Sequence, residues 1–466
     1  MPAVKGPPPV AAEERVIAPT MNRWVVVVGA ILIQLCLGAI YAWSVFTTTL
    51  KAAPETGGYG FNNSQTQWIF SAGLAAFALV MLFAGRWQAR IGPRAVAMMG
   101  GVVLGAGYIL GGLLGKTFGM QLLCIGIIGG GGIGLAYVVP IAVGVKWFPD
   151  KKGLITGLAV AGFGFGALIW VKLGGSWFGG LLNNLDHKIF DLPGVQAVFL
   201  VYGIAFFVLV FLGSLVMVNP PAGWKPAGWK PPDASAAKKP TGALDLTTGR
   251  MLGTSQYWGL LLMFTCSAMA GLMVIGCIRL FGVDSLVANK AVAGDNLEAM
   301  KKAAGAIAGT AMAWYAILNG LGRIIWGVAS DKIGRKAALF LMCALQGAMM
   351  LAFYNVGATE IGLIVGACVI GFNFGGNFAL FPAATADFFG NKTVGVNYPW
   401  VFLAYGVAGI VGPQIAGRLT DAAKATAGAS AAAWHTPFII AGVACLVAAV
   451  IALLLRAPRH HTAQPA

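Results

Sequence analysis

The stretch Trp314–Lys336 reads "WYAILNGLGRIIWGVASDKIGRK" and falls into two parts. Trp314 to Ser330 is apolar, with one fixed positive charge, Arg323, near its middle. Asp331 to Lys336 is a short charged turn that contains a glycine. A guanidinium at the centre of a bilayer costs about 2.5–3.5 kcal/mol on insertion scales. If the apolar part crosses a membrane, Arg323 must face something other than lipid.

Composition indicates that it does cross. Of 466 residues, 58% are hydrophobic and 10% charged, against about 25% charged in a soluble domain. Apolar runs of about 20 residues, long enough to span a hydrocarbon core, recur along the whole chain. Twelve spans are predicted, over 24–50, 64–85, 95–115, 118–146, 153–180, 195–218, 256–281, 303–330, 336–355, 358–386, 394–417 and 433–455, giving an all-α membrane protein. The first 22 residues are Pro-rich and charged and run straight into the first span, so no cleavable signal peptide is read there. The seven cysteines lie in apolar segments and suit packing rather than disulfides or a metal cluster. No cofactor or metal is expected.

A net charge of +16 would suit nucleic acid, but its distribution does not. With both termini cytoplasmic, 20 of the 31 Lys and Arg fall inside, counting Lys146 and Lys336 at the cytoplasmic span ends, eight fall outside, and Lys172, Arg279 and Arg323 lie deeper within spans. This inside excess predicts a multi-pass protein of the cytoplasmic membrane and removes nucleic acid as a partner.

Residues 219–255 are rich in Pro, Lys and Ala, repeat "AGWKP", and read as a cytoplasmic linker. They separate a bundle of six helices over 24–218 from a second over 256–455, with tails at 1–23 and 456–466. The halves echo each other. "GRWQARIGPR" (Gly85–Arg94) and "GVASDKIGRK" (Gly327–Lys336) stand 242 residues apart, and "WFPDK" (from Trp147) and "FFGNK" (from Phe388) stand 241 apart. Internal repeats of this kind build transporters whose site lies at the repeat interface near the midplane.

"GVASDKIGRK" resembles, position by position, the G-x-x-x-D-[RK]-x-G-[RK]-[RK] loop of the major facilitator superfamily. The resemblance covers essentially the whole membrane region and implies two six-helix bundles rocking about a central site. It implies that Asp331, Lys332, Gly334 and Arg335 belong to a gate at the cytoplasmic face. The first-half copy departs, with Ala89 for the acid and Pro93 for a basic residue. More narrowly, "KWFPDKKGLITGLAVAGFGFG" (Lys146–Gly166) and "ALFPAATADFFG" (Ala379–Gly390) resemble the oxalate/formate antiporter family, kin of the monocarboxylate transporters.

What could balance Arg323? All 15 Asp and Glu fall in loops, tails or span ends, and Asp331 lies about 12 Å away along a helix. A small carboxylate entering from water would fit the guanidinium's planar fork; a structural arginine bonded to carbonyls is the plainer alternative. The resemblance places a substrate-binding arginine here. Asn319 lies one turn before Arg323 on the same face and would orient it, bond substrate, or only join helices. Proton-coupled animal relatives carry an acid at this place, which puts a titrating side chain in doubt. At Tyr405 the oxalate-type members carry a Lys; one cation alone suits a monoanion. Tyr41, Gln67 and Tyr137 fall where the family lines its cavity, and Phe374, Phe378 and Phe402 occupy second-half aromatic positions, as a cage or as ordinary packing. Asn373 and Asn377 would join helices, Gly371 and Gly375 would let helices approach closely, and the Gly126, Gly130 and Gly134 series would do likewise. Lys172 and Arg279 would snorkel, or draw anions toward the outer face.

The sequence therefore predicts a transporter of short monocarboxylates (lactate, pyruvate, acetate or formate) working by alternating access as a monomer, by anion exchange or with protons. An oxalate/formate-type antiporter is the nearest alternative. A channel is opposed by the duplicated loop, and an enzyme by the lack of H-E-x-x-H, G-x-S-x-G or paired intramembrane carboxylates.

Overall fold

The computed structural model describes residues 21–56, 58–148, 152–184, 188–192, 194–221, 224–226, 246–390, 393–427 and 431–456. The tails at 1–20 and 457–466, most of the 219–255 linker and the ends of "WFPDK" and "FFGNK" lie outside the described residues. Twelve helices are long and apolar enough to cross a membrane: α1 Arg23–Lys51, α2 Asn63–Gln88, α3 Pro93–Leu114, α4 Phe118–Trp147, α5 Leu158–Gly175, α6 Gly194–Leu215, α7 Ser255–Ala288, α8 Leu297–Ile333, α9 Arg335–Val356, α10 Glu360–Phe389, α11 Val396–Ala425 and α12 Ala431–Leu454. No strand occurs among the described residues. A chain crossing lipid repeatedly must satisfy its backbone polar groups internally, and helices do so within each span. Large apolar side chains point outward along the helices, among them Val28, Ile361 and Leu454, at 66%, 76% and 72% exposure. This is the surface a bilayer would cover.

The helices form two six-helix bundles, and the repeat is visible in the backbone. Helix α2 runs on to Ile91 and ends on Gly92 at φ +87°, with α3 starting at Pro93. Helix α8 ends on Gly334 at φ +88°, with α9 starting at Arg335. Positive φ is nearly free for glycine and strained for other residues. A Cβ at either position would meet nothing within 4 Å, so backbone conformation rather than space selects the residue.

The bundles meet mainly along two helix pairs, α2 with α11 and α5 with α8. A shift of six helices turns one pair into the other, as a duplicated fold requires. Missing Cβ atoms set these approaches. A methyl at Gly164 on α5 would stand 3.3 Å from Gly320 N on α8, and one at Gly406 on α11 would stand 2.8 Å from Ala78 Cβ on α2.

Candidate functional site

Helix α8 carries Arg323, and close packing on α10 holds it in place. A Cβ at Gly371 would come 2.4 Å from Tyr315 O, one at Gly375 2.1 Å from Asn319 O, and one at Gly322 2.0 Å from Phe372 O. The Gly371/Gly375 pair thus seats α8 against α10 at the level of the arginine. Asn377, two residues beyond Gly375 and so turned to another face of α10, accepts from Ser267 Oγ of α7 at 2.8 Å and donates to Phe374 O, joining helices.

Arg323 is 4% exposed. Its Nε donates to Asn319 Oδ1 at 3.0 Å, one turn away, and its Nη1 donates to the Val160 carbonyl of α5 at 2.9 Å. The guanidinium of the second half therefore bonds backbone of the first. Its carbon lies 4.1 Å from the Phe378 ring centre and 5.9 Å from that of Phe163. Arg323 Nη2 and Asn319 Nδ2 are buried without a hydrogen-bond partner. No carboxylate pairs with Arg323 among the described residues. A buried donor on a cation that lacks an acceptor is costly, by about 1–3 kcal/mol for a neutral group and more for a charged one.

The tyrosines named from sequence converge here. The Tyr41 and Tyr405 hydroxyls lie 2.9 Å apart, one from each half. Both the Tyr41 and Tyr137 hydroxyls are within electrostatic reach of Arg323. Phe374 packs edge-on to Tyr41 at 5.9 Å, Phe378 edge-on to Tyr405 at 5.7 Å, and Phe402 stacks on Tyr405 at 4.9 Å and on Tyr137 at 6.1 Å. Gln67 stands apart: its Nε2 donates to Gly276 O of α7 at 3.0 Å, bridging the halves nearer the start of α2.

Among the aromatics not singled out from the sequence, two pack directly on the tyrosines of the cluster from the first half. Phe163 meets Tyr41 at 5.0 Å and Tyr137 at 5.4 Å. Phe77 meets Tyr137, Phe402 and Tyr405 at 5.0, 5.5 and 5.7 Å. Gly134 seats Phe77, since a methyl there would come 2.6 Å from the Phe77 carbonyl. Phe77 is the counterpart of Asn319 at the 242-residue repeat offset, a signal the sequence did carry; Phe163 is marked only by its spacing from the tyrosines on neighbouring helices.

Beyond the Arg323–Val160 and Tyr41–Tyr405 bonds, side-chain hydrogen bonds between the halves gather toward the start of α2. Asp421 of α11 accepts from the backbone N–H groups of Asn63 and Ser64 at 3.1 and 2.8 Å, neutralising the positive end of α2. Ser64 Oγ donates to Gln414 at 3.3 Å and Lys172 Nζ to Thr310 Oγ1 at 3.2 Å. At the opposite end, Asp331 pairs with Arg335 at 2.7 Å, and Arg335 also pairs with Asp387 of α10 at 3.3 Å and donates to Ser330 Oγ. That network stays within the second half. Lys332 is exposed beside it, and Gly334 forms the turn.

Twelve apolar helices in two related bundles, meeting at a buried cation, define a multi-pass membrane transporter fold. The sequence matches the Major Facilitator Superfamily over residues 32–294 and 292–466, and the chain belongs to that family. Over 92% of its length the chain is 27% identical to the "Oxalate:formate antiporter" of Oxalobacter formigenes, covering 91% of that protein. It is 25% identical to "Apicoplast pyruvate carrier 1" of Toxoplasma gondii, covering 82% of this chain and 81% of that protein. Among solved structures it resembles a bacterial homologue of the human lysosomal transporter Spinster, described as inward-facing and unoccupied. There the TM-score is 0.64 at 16% identity, over 93% of this chain and 96% of the other.

Proposed function

We propose that this protein is a secondary active transporter that carries short monocarboxylates across the cytoplasmic membrane by alternating access, as an exchanger or together with protons. One observation carries the reading: Arg323 is a buried cation at the half-to-half interface with no carboxylate partner among the described residues. Its fork matches a carboxylate, whose two oxygens accept parallel N–H bonds. The tyrosine hydroxyls beside it supply further donors, and the surrounding rings lower the local dielectric, which strengthens each ionic bond. Tyr41 and Tyr405 bond across the halves, so an anion that engaged either hydroxyl would be felt by both bundles.

The charge count favours a monoanion. Tyr405 stands where oxalate-type members carry a Lys, and a dianion would leave one charge unbalanced in a poorly polar site. The inside excess of basic residues supports cytoplasmic termini, with the Asp331 turn on that side as the gate and the chain acting as a monomer. The similarity to an oxalate:formate antiporter keeps dicarboxylate exchange as the second reading.

Counterflow in proteoliposomes tests both. Labelled C1–C4 acids should accumulate against unlabelled monocarboxylate inside, with lactate, pyruvate, acetate or formate ahead of oxalate; uptake of oxalate alone would overturn the monoanion reading. Repeating the assay with an imposed pH gradient separates exchange from proton-coupled carriage.

A further inference from the structure

The ends of α1 and α7 and the start of α8 enclose a second charged space, a cavity of about 610 Å³. It lies far from Arg323. From Gly305, on its wall, to Arg323 is 18 residues of one helix, about 27 Å. Four basic side chains line it, Lys51, Arg279, Lys301 and Lys302, against the two carboxylates of Asp284 and Glu298.

Both carboxylates are already engaged. Asp284 pairs with Lys424 at 2.5 Å and accepts from Trp434 Nε1 at 2.8 Å, and Glu298 pairs with Lys301 at 2.9 Å. Lys51, Arg279 and Lys302 have no ion-pair partner among the described residues. Arg279 is not extended toward a lipid headgroup as a snorkelling side chain would be. Its guanidinium is held between the two halves: a Cβ at Gly305 of α8 would stand 3.3 Å from Nη2, and one at Gly175 of α5 would stand 3.7 Å from Nη1. Its Nε is buried without a hydrogen-bond partner. Between this cavity and Arg323 lies Lys172, whose Nζ bonds the neutral Thr310 hydroxyl and has no ion-pair partner among the described residues.

We infer that this cavity is a second binding site for a small carboxylate, formed by Arg279, Lys51 and Lys302, where the anion docks before it reaches Arg323. The chemistry is that of a funnel with a seat. A concave surface of one sign concentrates the opposite ion, and the guanidinium offers two parallel N–H bonds that a carboxylate meets with one oxygen each, where a spherical anion must share a single atom between them. The site rests on the proposed function for its ligand class, yet it is readable without any transport.

The test is thiol labelling of purified full-length Thr48→Cys, whose side chain would line the cavity. None of the seven native cysteines does, and the parent protein serves as the background. Relative to its rate with a small thiol in solution, the anionic 2-sulfonatoethyl methanethiosulfonate should react faster than the cationic trimethylammonioethyl reagent on the same scale, by about tenfold or more given a concave basic surface. Acetate or formate should slow the anionic reaction well beyond equimolar chloride. Arg279→Gln should lower the rate ratio severalfold and remove the protection, while Arg279→Lys keeps the ratio and loses most of the protection. Lys302→Gln, on an exposed side chain, gives a second reading should Arg279→Gln fold poorly, and should lower the ratio as well. Equal relative rates for the two reagents, equal slowing by chloride, or protection that survives both neutral variants would overturn the site. If acetate protects but no monocarboxylate is carried, the proposed function falls and this site stands.

Discussion

Helices α2 and α8 occupy equivalent places in the two halves, and at an offset of 242 residues they can be read against each other. Their C-terminal glycines, Gly92 and Gly334, share one backbone conformation, φ +87° and +88°. One turn of α8 holds Asn319 and Arg323; the same offset lands on Phe77 and Met81 of α2. Phe77 belongs to the same aromatic cluster as the tyrosines, and Met81 is 2% exposed. Nearer the turn, Asp331 matches Ala89. Duplication has thus preserved the scaffold on both sides while the charge and the acid remain on one. A pseudo-symmetric frame lets the bundles rock, and in the proposed function the single cation between them binds the anion that the motion carries.

The largest effect expected from disturbing this asymmetry is at Arg323. Arg323→Lys keeps the charge and loses the planar fork; removing one charge-assisted bond of about 1.5–3 kcal/mol lowers transport about 10- to 100-fold. The protein should stay monodisperse, because Lys retains the charge. Near-normal lactate uptake would remove Arg323 from the site. Asp331→Asn comes next. It breaks the ion pair to Arg335 at an exposed turn, so exchange between states should slow severalfold while lactate affinity in detergent changes little. An equal loss of affinity would contradict a gate role. Ala89→Asn, at the matching first-half position, should leave both unchanged.

Asp421→Asn probes the other end of the interface, where the carboxylate accepts two backbone N–H bonds of α2. The amide keeps one acceptor oxygen and loses the charge, so the halves should separate there more often. Spin labels at Glu55 and Glu360, both exposed, should report a broader and longer distance distribution; an unchanged distribution would show that the contact does not hold this end. Tyr405→Phe is expected to be smallest. It removes a neutral bond to Tyr41 worth about 0.5–1.5 kcal/mol, a two- to tenfold loss in uptake.

Much of this was legible in the sequence, and what was not has physical reasons. The spans and the Asp331 turn follow from apolar length and a repeated loop. The Asn319–Arg323 pair follows from helical spacing and is seen as a hydrogen bond. The Val160 carbonyl was invisible, because any residue supplies one. Helix α1, read as one span, tightens at Gly38–Ala42, where a Cβ at Gly38 would come 2.0 Å from Phe163 O; that approach depends on α5 and leaves no local mark. Gln67 precedes Phe77 by ten residues, about 15 Å along α2, which accounts for its place outside the cluster around Arg323.

The central claim, that one unmatched cation selects a monoanion, is tested most directly by Tyr405→Lys, which adds the second charge found in oxalate-type relatives. Paired uptake of labelled lactate and labelled oxalate is measured for wild type and variant at several pH values, since a buried Lys can shed its proton. Wild type should prefer lactate, and the variant should shift the ratio toward oxalate by about tenfold or more, with lactate uptake falling, because a monoanion then leaves one cation unbalanced. A wild type that already prefers oxalate, or a ratio that does not move, would contradict that claim.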